Sequence, residues 1–365
     1  MAKKIRVGVI GTGWGSLVLT PAFQSVPDYE VVALCARRES SARAAAERLG
    51  VPENTTDWRA LIAREDIDLI AVCTPTTLHH EQTMAALRAG KHVLCEKPLA
   101  LDPDQAREMS ELAEERGLVC GVNFEGRWLP ERLPVWRHVR DGRIGQPYLA
   151  RVVTNADYWH PTRDLQSEWM YDEAQGGGYL LGMASHDIDF LIALFGPPSA
   201  VCADVRTSTP TRTRADGSTL QVTADDTSTL LMRMRDGTTC VISTTAVALQ
   251  HDSRVLEIFG SEGSITVTGK VQGDATNTSI QWSHADHRGL APLPLGDREP
   301  LGGRPIPNRR AGAAIRALAL MLEDWLPAFD GEPSPVPTLR QGWLVSEVVD
   351  AARRSSAGAG WVSLP

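Results

Sequence analysis

The sequence predicts an α/β domain with a doubly wound parallel sheet, followed by an α+β domain with a large, open-faced, mostly antiparallel sheet. Three observations predict it. Short apolar runs alternate with helical patterns through the first 123 residues, as in β-α units whose strands are covered on both faces. The first run ends in Gly11-Thr12-Gly13-Trp14-Gly15-Ser16. After Asn123, longer strands follow at close spacing, separated by turn pairs such as Asp236-Gly237 and Glu262-Gly263. The predicted division is therefore 1–123 and 124–365.

In the first part, strands are expected at Ile5–Ile10, Tyr29–Cys35, Leu69–Cys73, His92–Cys95 and Leu118–Val122, each a near-continuous apolar run. Helices are expected at Leu17–Ser25, Ser40–Leu49, Trp58–Ala63, His80–Ala89 and Pro103–Arg116. Gly90 and Gly117 stand where helix ends favour glycine. In the second part, helices are expected at Leu133–Arg140, over residues 179–195 and at Ala311–Phe329 and Arg340–Arg354. Strands are expected at Leu149–Asp157, Ala200–Thr207, Thr227–Arg235, Thr239–Ala248, Arg254–Phe259 and Ser264–Thr268. Residues 207–221, rich in Thr, Ser and Arg, read as an exposed hairpin loop. Residues 269–307, rich in Gly, Pro and Asp, read as a long irregular excursion.

Composition narrows the function classes. Hydrophobic residues make up 42% and charged residues 22% of 365, enough apolar side chain for two cores. The net charge of −8 argues against nucleic acid, whose phosphates need clustered cations. The basic pairs Arg37-Arg38, Arg309-Arg310 and Arg353-Arg354 are short. No apolar run approaches the length of a bilayer span, so no membrane partner is expected. The basic-then-apolar start runs straight into glycines and reads as a strand, not a leader. Six scattered cysteines form no Cys-x-x-Cys pair. They suggest neither a metal site nor a disulfide framework, and they fit a reducing cytoplasm.

The glycine sequence after the first strand fits the dinucleotide fingerprint G-x-G-x-x-G/A, with Ser16 at the third small position. Gly11 allows the tight turn. Gly13 lets the backbone approach a pyrophosphate seated on the following helix N-terminus, flanked by Thr12 and Trp14. The second strand lacks the acidic residue that would hold ribose hydroxyls. It runs Cys35-Ala36-Arg37-Arg38 instead. Without that carboxylate a 2′-phosphate meets no repulsion, and a guanidinium can grip it. NADP is expected in preference to NAD, unless Arg37 and Arg38 are simply solvated.

Two further motifs carry a family resemblance. Cys73-Thr74-Pro75-Thr76-Thr77-Leu78-His79-His80 follows one strand, and Ala89-Gly90-Lys91-His92-Val93-Leu94-Cys95-Glu96-Lys97-Pro98-Leu99-Ala100 contains another. With Gly176-Gly177-Gly178 and His186-x-x-Asp189, they make the chain resemble the Gfo/Idh/MocA (glucose–fructose oxidoreductase / inositol dehydrogenase) family. The resemblance implies an NAD(P)-dependent dehydrogenase or reductase acting on CH–OH groups of a sugar, cyclitol or related polyol, a small-molecule partner. It implies that Cys73, Thr74, Pro75 and His79 line the nicotinamide side of the cleft, with Lys97 beside the nicotinamide and His186 as its partner in proton handling. Glu96 would orient the lysine, and Asn123 and Arg127 would contact cofactor or substrate. His79 reads equally well as a capping or packing residue.

One departure stands out. The family places an aspartate four residues before the histidine, on the same helical face. Here that position is Gly182, which leaves His186 without its carboxylate and opens space for a bulkier substrate or a derivative. Asp157, Tyr158, Asp164, Tyr171 and Asp172 are the candidates to replace it. Trp128, Trp136, Trp159 and Trp169 lie in the stretch expected to wall the substrate cleft, and Tyr158 and Trp159 are candidate substrate contacts. A redox-neutral enzyme with retained cofactor and a cofactor-binding sensor are the alternative readings. The open face of the second sheet is expected to pair as a homodimer or homotetramer.

Overall fold

The computed structural model describes residues 4–271, 277–286, 289–300 and 311–364. Arg309-Arg310 and parts of the expected 269–307 excursion lie outside the described residues. The chain forms two compact units, residues 1–129 with 297–346, and residues 130–296 with 347–365.

The first unit contains strands β1 (Ile5–Ile10), β2 (Tyr29–Cys35), β3 (Glu53–Thr55), β4 (Leu69–Val72), β5 (His92–Cys95) and β6 (Cys120–Val122). They form one parallel sheet in the order β3-β2-β1-β4-β5-β6, the doubly wound arrangement expected. The helices are α1 (Thr20–Ser25), α2 (Glu39–Leu49), α3 (Trp58–Ile62), α4 (His79–Arg88) and α5 (Pro103–Glu115). Val7, Val9, Leu34, Ile70 and Val93 are fully buried, which explains their unbroken apolar runs. The order reverses between β1 and β4, so the crevice for a ligand opens at the carboxyl ends of those strands.

This unit also takes in α8 (Gly312–Phe329) and the start of α9 (Leu339–Arg354). A single cut at residue 123 therefore does not describe the units. The physical reason is the apolar face of α8. Ile315, Leu318, Leu322 and Trp325 are all buried, and α8 packs on α1 and on the turn Glu125–Trp128. Tyr29 Oη donates to Leu322 O at 3.0 Å, and Trp128 Nε1 donates to Asp324 Oδ2 at 2.8 Å.

The second unit contains helices α6 (Arg132–Arg140) and α7 (Ser185–Phe195) and a nine-stranded mixed sheet. Its strands are β7 (Pro147–Asn155), β8 (Pro198–Arg206), β11 (Thr227–Met234), β12 (Thr239–Thr245), β13 (Ser253–Gly260), β14 (Gly263–Gly269), β15 (Ser279–His284), β16 (Ala291–Pro292) and β17 (Val362–Ser363). Their order is β16-β15-β14-β13-β7-β12-β11-β8-β17, antiparallel except for the β7–β12 pair. Strands β15 and β16 lie within the stretch expected to be irregular. The pairing of β15 on β14 (Ile265 opposite Trp282), and of β16 on β15, is not carried by local composition. The 207–221 segment forms a hairpin of β9 (Thr211–Thr213) and β10 (Thr219–Gln221). It is not wholly exposed, because Arg212 is buried.

Residues 173–195 form a helical stretch long and apolar enough for a bilayer span by length and composition, contrary to the sequence expectation. Most of its apolar window (72%) is buried inside the protein, as in a core helix.

Candidate functional site

The glycine loop sits at the switch point of the first sheet. Gly11 has φ +107° and donates to Cys35 O at 2.8 Å. A Cβ there would lie 2.0 Å from Cys73 O, so only glycine lets the loop cross β4. Gly13 is exposed, and its Cβ position faces open space, which leaves the backbone approachable. The close helix–strand contact is made by Gly15, not Ser16. A Cβ on Gly15 would sit 3.2 Å from Val9 Cγ1 and 3.4 Å from Cys73 Cβ. Ser16 instead donates its hydroxyl to Thr12 O at 2.5 Å and accepts from Arg48 at 3.0 Å. The helix opens as a π-turn over Gly15–Leu19, and no side chain caps its N-terminus. π-turns recur at functional sites. Trp14 is exposed beside the loop.

Ala36 is buried at the end of β2, and Arg37 and Arg38 after it are exposed. Among the described residues neither arginine forms an ion pair. Their placement suits an anionic group outside the strand end.

The loops after β4 and β5 are tied together. Thr74 Oγ1 donates to Gln82 Oε1 at 2.7 Å. The His79 ring is 1% exposed. Its Nε2 lies 2.9 Å from Thr74 O and its Nδ1 lies 2.9 Å from Pro98 O. Burial lowers its pKa, against the pull of those carbonyls. Of the two sequence readings for His79, the packing one describes its ring. Pro75 is exposed next to it, and His80 turns outward to Glu108 at 2.9 Å.

Lys97 is half-buried at the carboxyl end of β5, before a cis peptide to Pro98. Its backbone N–H donates to Glu96 Oε2 at 3.2 Å, and Asn123 Nδ2 donates to Glu96 Oε1 at 2.6 Å. Burial raises the Glu96 pKa, with the Lys97 charge and the Asn123 amide opposing it. Asn123 is fully buried, and its Oδ1 has no hydrogen-bond partner. Arg127, by contrast, is largely buried and donates to Pro335 O at 3.2 Å.

In the second unit the triple glycine is structural. A Cβ on Gly177 would lie 2.5 Å from Met170 O, and one on Gly178 would lie 2.4 Å from Asp225 Oδ1. Asp225 accepts from Leu180 N at 2.7 Å, which anchors the π-turn Leu180–Ala184. Gly182 lies within that turn, and its Cβ position faces open space. His186 follows in the first turn of α7, half-buried. Its carbonyl accepts from Arg132 at 3.1 Å. Next to it, Asp187 is buried and held by both Arg132 and Arg254.

Three of the replacements expected for the missing carboxylate, Asp157, Asp172 and Tyr171, have other partners. Asp157 pairs with Arg163. Asp172 caps its own turn at Ala174 N, 3.0 Å. Tyr171 is buried beneath Arg212, and Asp164 is exposed. Trp159 is 4% exposed and packs with Tyr171 and Tyr179 in a buried cluster, so its ring is core, not a cleft wall. Tyr158 packs half-buried against that cluster, and burial pushes its hydroxyl pKa up. Sequence reasoning missed Gly15, Gln82, Asp225 and the Arg132–Asp187–Arg254 group. Only Gly15 had a visible signal, as the third glycine of the loop.

The first unit fits a nicotinamide dinucleotide. It offers an approachable backbone at Gly13, a helix N-terminus without a side-chain cap, and an unsatisfied buried amide oxygen beside Lys97. Among the described residues no group of three His, Cys, Asp or Glu side chains is arranged to hold a metal ion.

Comparison with known proteins agrees. Residues 5–124 match an oxidoreductase family with an NAD-binding Rossmann fold, and residues 135–266 match the GFO/IDH/MocA C-terminal domain. Levoglucosan dehydrogenase of Pseudarthrobacter phenanthrenivorans is 29% identical over 100% of this chain and 99% of its own. A solved structure of levoglucosan dehydrogenase in complex with NADH and levoglucosan superposes with a TM-score of 0.85 at 27% identity, covering 100% of both chains. The scyllo-inositol 2-dehydrogenase (NADP(+)) of Bacillus subtilis is 30% identical over 55% of this chain and 54% of its own.

Proposed function

Because the chain belongs to the Gfo/Idh/MocA family of oxidoreductases, we propose that it oxidises or reduces a secondary carbinol of a sugar, cyclitol or related polyol derivative. The observation that carries this reading is Lys97, held at the carboxyl end of β5 by the Glu96 carboxylate and Asn123 amide. Bound at the glycine loop, NADP or NAD supplies the hydride donor or acceptor. An ammonium at Lys97 polarises a carbonyl or stabilises a developing alkoxide at the reacting carbon. His186 donates and accepts the proton. Open space at Gly182 supports a substrate bulkier than a free monosaccharide, or one lacking the hydroxyl that an aspartate would hold. The relatives' named substrates, levoglucosan and inositols, support the polyol class.

NADP is the preferred cofactor in this reading. The support is the exposed Arg37-Arg38 pair after Ala36, where no carboxylate repels a 2′-phosphate. A cytoplasmic location is supported by the absence of disulfides among the six cysteines. A homodimer or homotetramer through the open sheet face is supported by Val153, Val241 and Leu231, which leave apolar surface there.

The test is turnover on a panel of levoglucosan, myo-inositol and related polyols with NADP+ and NAD+. Lys97→Met and His186→Asn should each lower kcat by about 100-fold or more while leaving NADPH binding near wild type. Wild-type turnover by Lys97→Met would overturn the assignment, and a clear NADH preference would overturn the cofactor choice. A monomer by light scattering would exclude the oligomer.

A further inference from the structure

We propose that His79 is a positioning residue for Lys97, which holds the lysine loop through the Pro98 carbonyl and braces it against the Thr74 loop. The proposal rests on the role given to Lys97 above. His79 opens α4, yet its ring serves two loops that are not its own helix. One nitrogen meets the carbonyl of the residue directly after Lys97, and the other meets the loop after β4, each at 2.9 Å. The ring is all but inaccessible to solvent, so water cannot replace either contact when the ring is lost.

The geometry gives the two contacts different weights. The bond to Pro98 acts one residue from the lysine. The contact with Thr74 acts on a loop already fastened by Gln82 on the same helix. Loss of the first should move Lys97; loss of the second should not. A shift of about 1 Å at a reacting group costs on the order of 100-fold in rate. Burial and the Lys97 charge both disfavour a second proton on the ring, so it carries one N–H and donates to only one of the two carbonyls; in this proposal that N–H sits on Nδ1, toward Pro98 O, with Nε2 packed against Thr74 O.

Asparagine and glutamine separate the two contacts. The amide nitrogen of asparagine takes the place of the ring Nδ1, and that of glutamine takes the place of Nε2. His79→Asn therefore keeps the donor to Pro98, whereas His79→Gln moves the donor to the Thr74 side and leaves Pro98 O without one. Glutamine is closer to histidine in volume, so packing alone ranks the variants in the opposite order.

The experiment measures kcat, KM and NADPH affinity for His79→Asn, His79→Gln and His79→Ala. It also records the 13C resonance of dimethylated Lys97, which is resolvable in a chain with five lysines. His79→Asn should keep kcat within several-fold of wild type and leave the Lys97 resonance in place. His79→Gln and His79→Ala should lower kcat by about 100-fold, shift the resonance and change NADPH affinity far less. Equal losses in all three, or His79→Gln matching wild type while His79→Asn does not, would overturn the proposal. If Lys97→Met retains wild-type turnover, the catalytic reading falls, while the Lys97 resonance still decides whether His79 positions that side chain.

Discussion

Asn123 donates to Glu96 at 2.6 Å inside the first unit, and the same carboxylate receives the backbone N–H of Lys97 through its other oxygen. One buried acid thus joins the ends of β5 and β6 around the proposed reacting lysine. The arrangement resolves a conflict. A carboxylate this buried resists ionisation, and the charge of Lys97 and the amide of Asn123 draw it back.

Asn123→Leu removes the amide and leaves the buried oxygen without its donor, which costs about 1–3 kcal/mol. Glu96 already has a pKa raised above its unfolded value, and the variant raises it further. Its contribution is therefore most favourable at low pH and is lost as pH rises through the folded value. The variant should lose more stability relative to wild type at pH 8 than at pH 5, read by urea unfolding at both. An equal loss at both pH values would show that the bond does not hold the charged form.

The three loop glycines should fail in three different ways. Gly11→Ala meets Cys73 O in a left-handed backbone and should lower Tm sharply and abolish dinucleotide binding. Gly15→Ala presses on Val9 and Cys73 at 3.2 and 3.4 Å, a smaller misfit that costs about 1 kcal/mol or more. Gly13→Ala meets nothing and should unfold like wild type, yet bind NADPH at least about 10-fold more weakly because its Cβ obstructs the pyrophosphate. Calorimetry with fluorescence titration separates these outcomes. Wild-type NADPH affinity in Gly13→Ala would remove the pyrophosphate from that position.

Much of this was legible because burial and sequence period coincide. Strands β1, β2 and β5 begin and end where their apolar runs do, since both faces of that sheet are covered. β15 was not legible. Ser279–His284 is a polar strand near a sheet edge, and only pairing with β14 makes it one. The position of Lys97 was visible as a motif, but its support by Asn123 and His79 was not, because those contacts join strand ends far apart in sequence. The roles of Gly177 and Gly178 were hidden likewise. They depend on Met170 O and Asp225 approaching from other segments.

Arg212 illustrates the same point and carries a prediction. It donates to Trp159 O and Arg163 O, each at 2.7 Å, while stacking over Tyr171. Arg212→Met fills part of the same space but leaves both carbonyls without their donor, at about 1–3 kcal/mol for each buried group. The expected result is a lower Tm with faster proteolysis between residues 157 and 172. Lys at this position should recover little, because one ammonium lacks the forked geometry that reaches both carbonyls. Full recovery by Lys would show that charge, not the fork, holds the segment.

Asp225 provides the pH test of the π-turn that carries Gly182. Its carboxylate accepts from Leu180 N, and burial lifts its pKa from 3.8 to about 6. A carboxyl whose folded pKa is raised favours the folded state fully below pH 3.8, and that favour is lost as pH rises through about 6. The linkage amounts to roughly 3 kcal/mol. Asp225→Asn keeps an oxygen for Leu180 N and carries no charge to desolvate. Its stability relative to wild type should therefore rise between pH 4 and pH 7 and level off above, read by chemical denaturation across that range. A pH-independent difference would mean that Asp225 is not strained by burial, and a uniform loss would mean that its charge is needed beside Arg353.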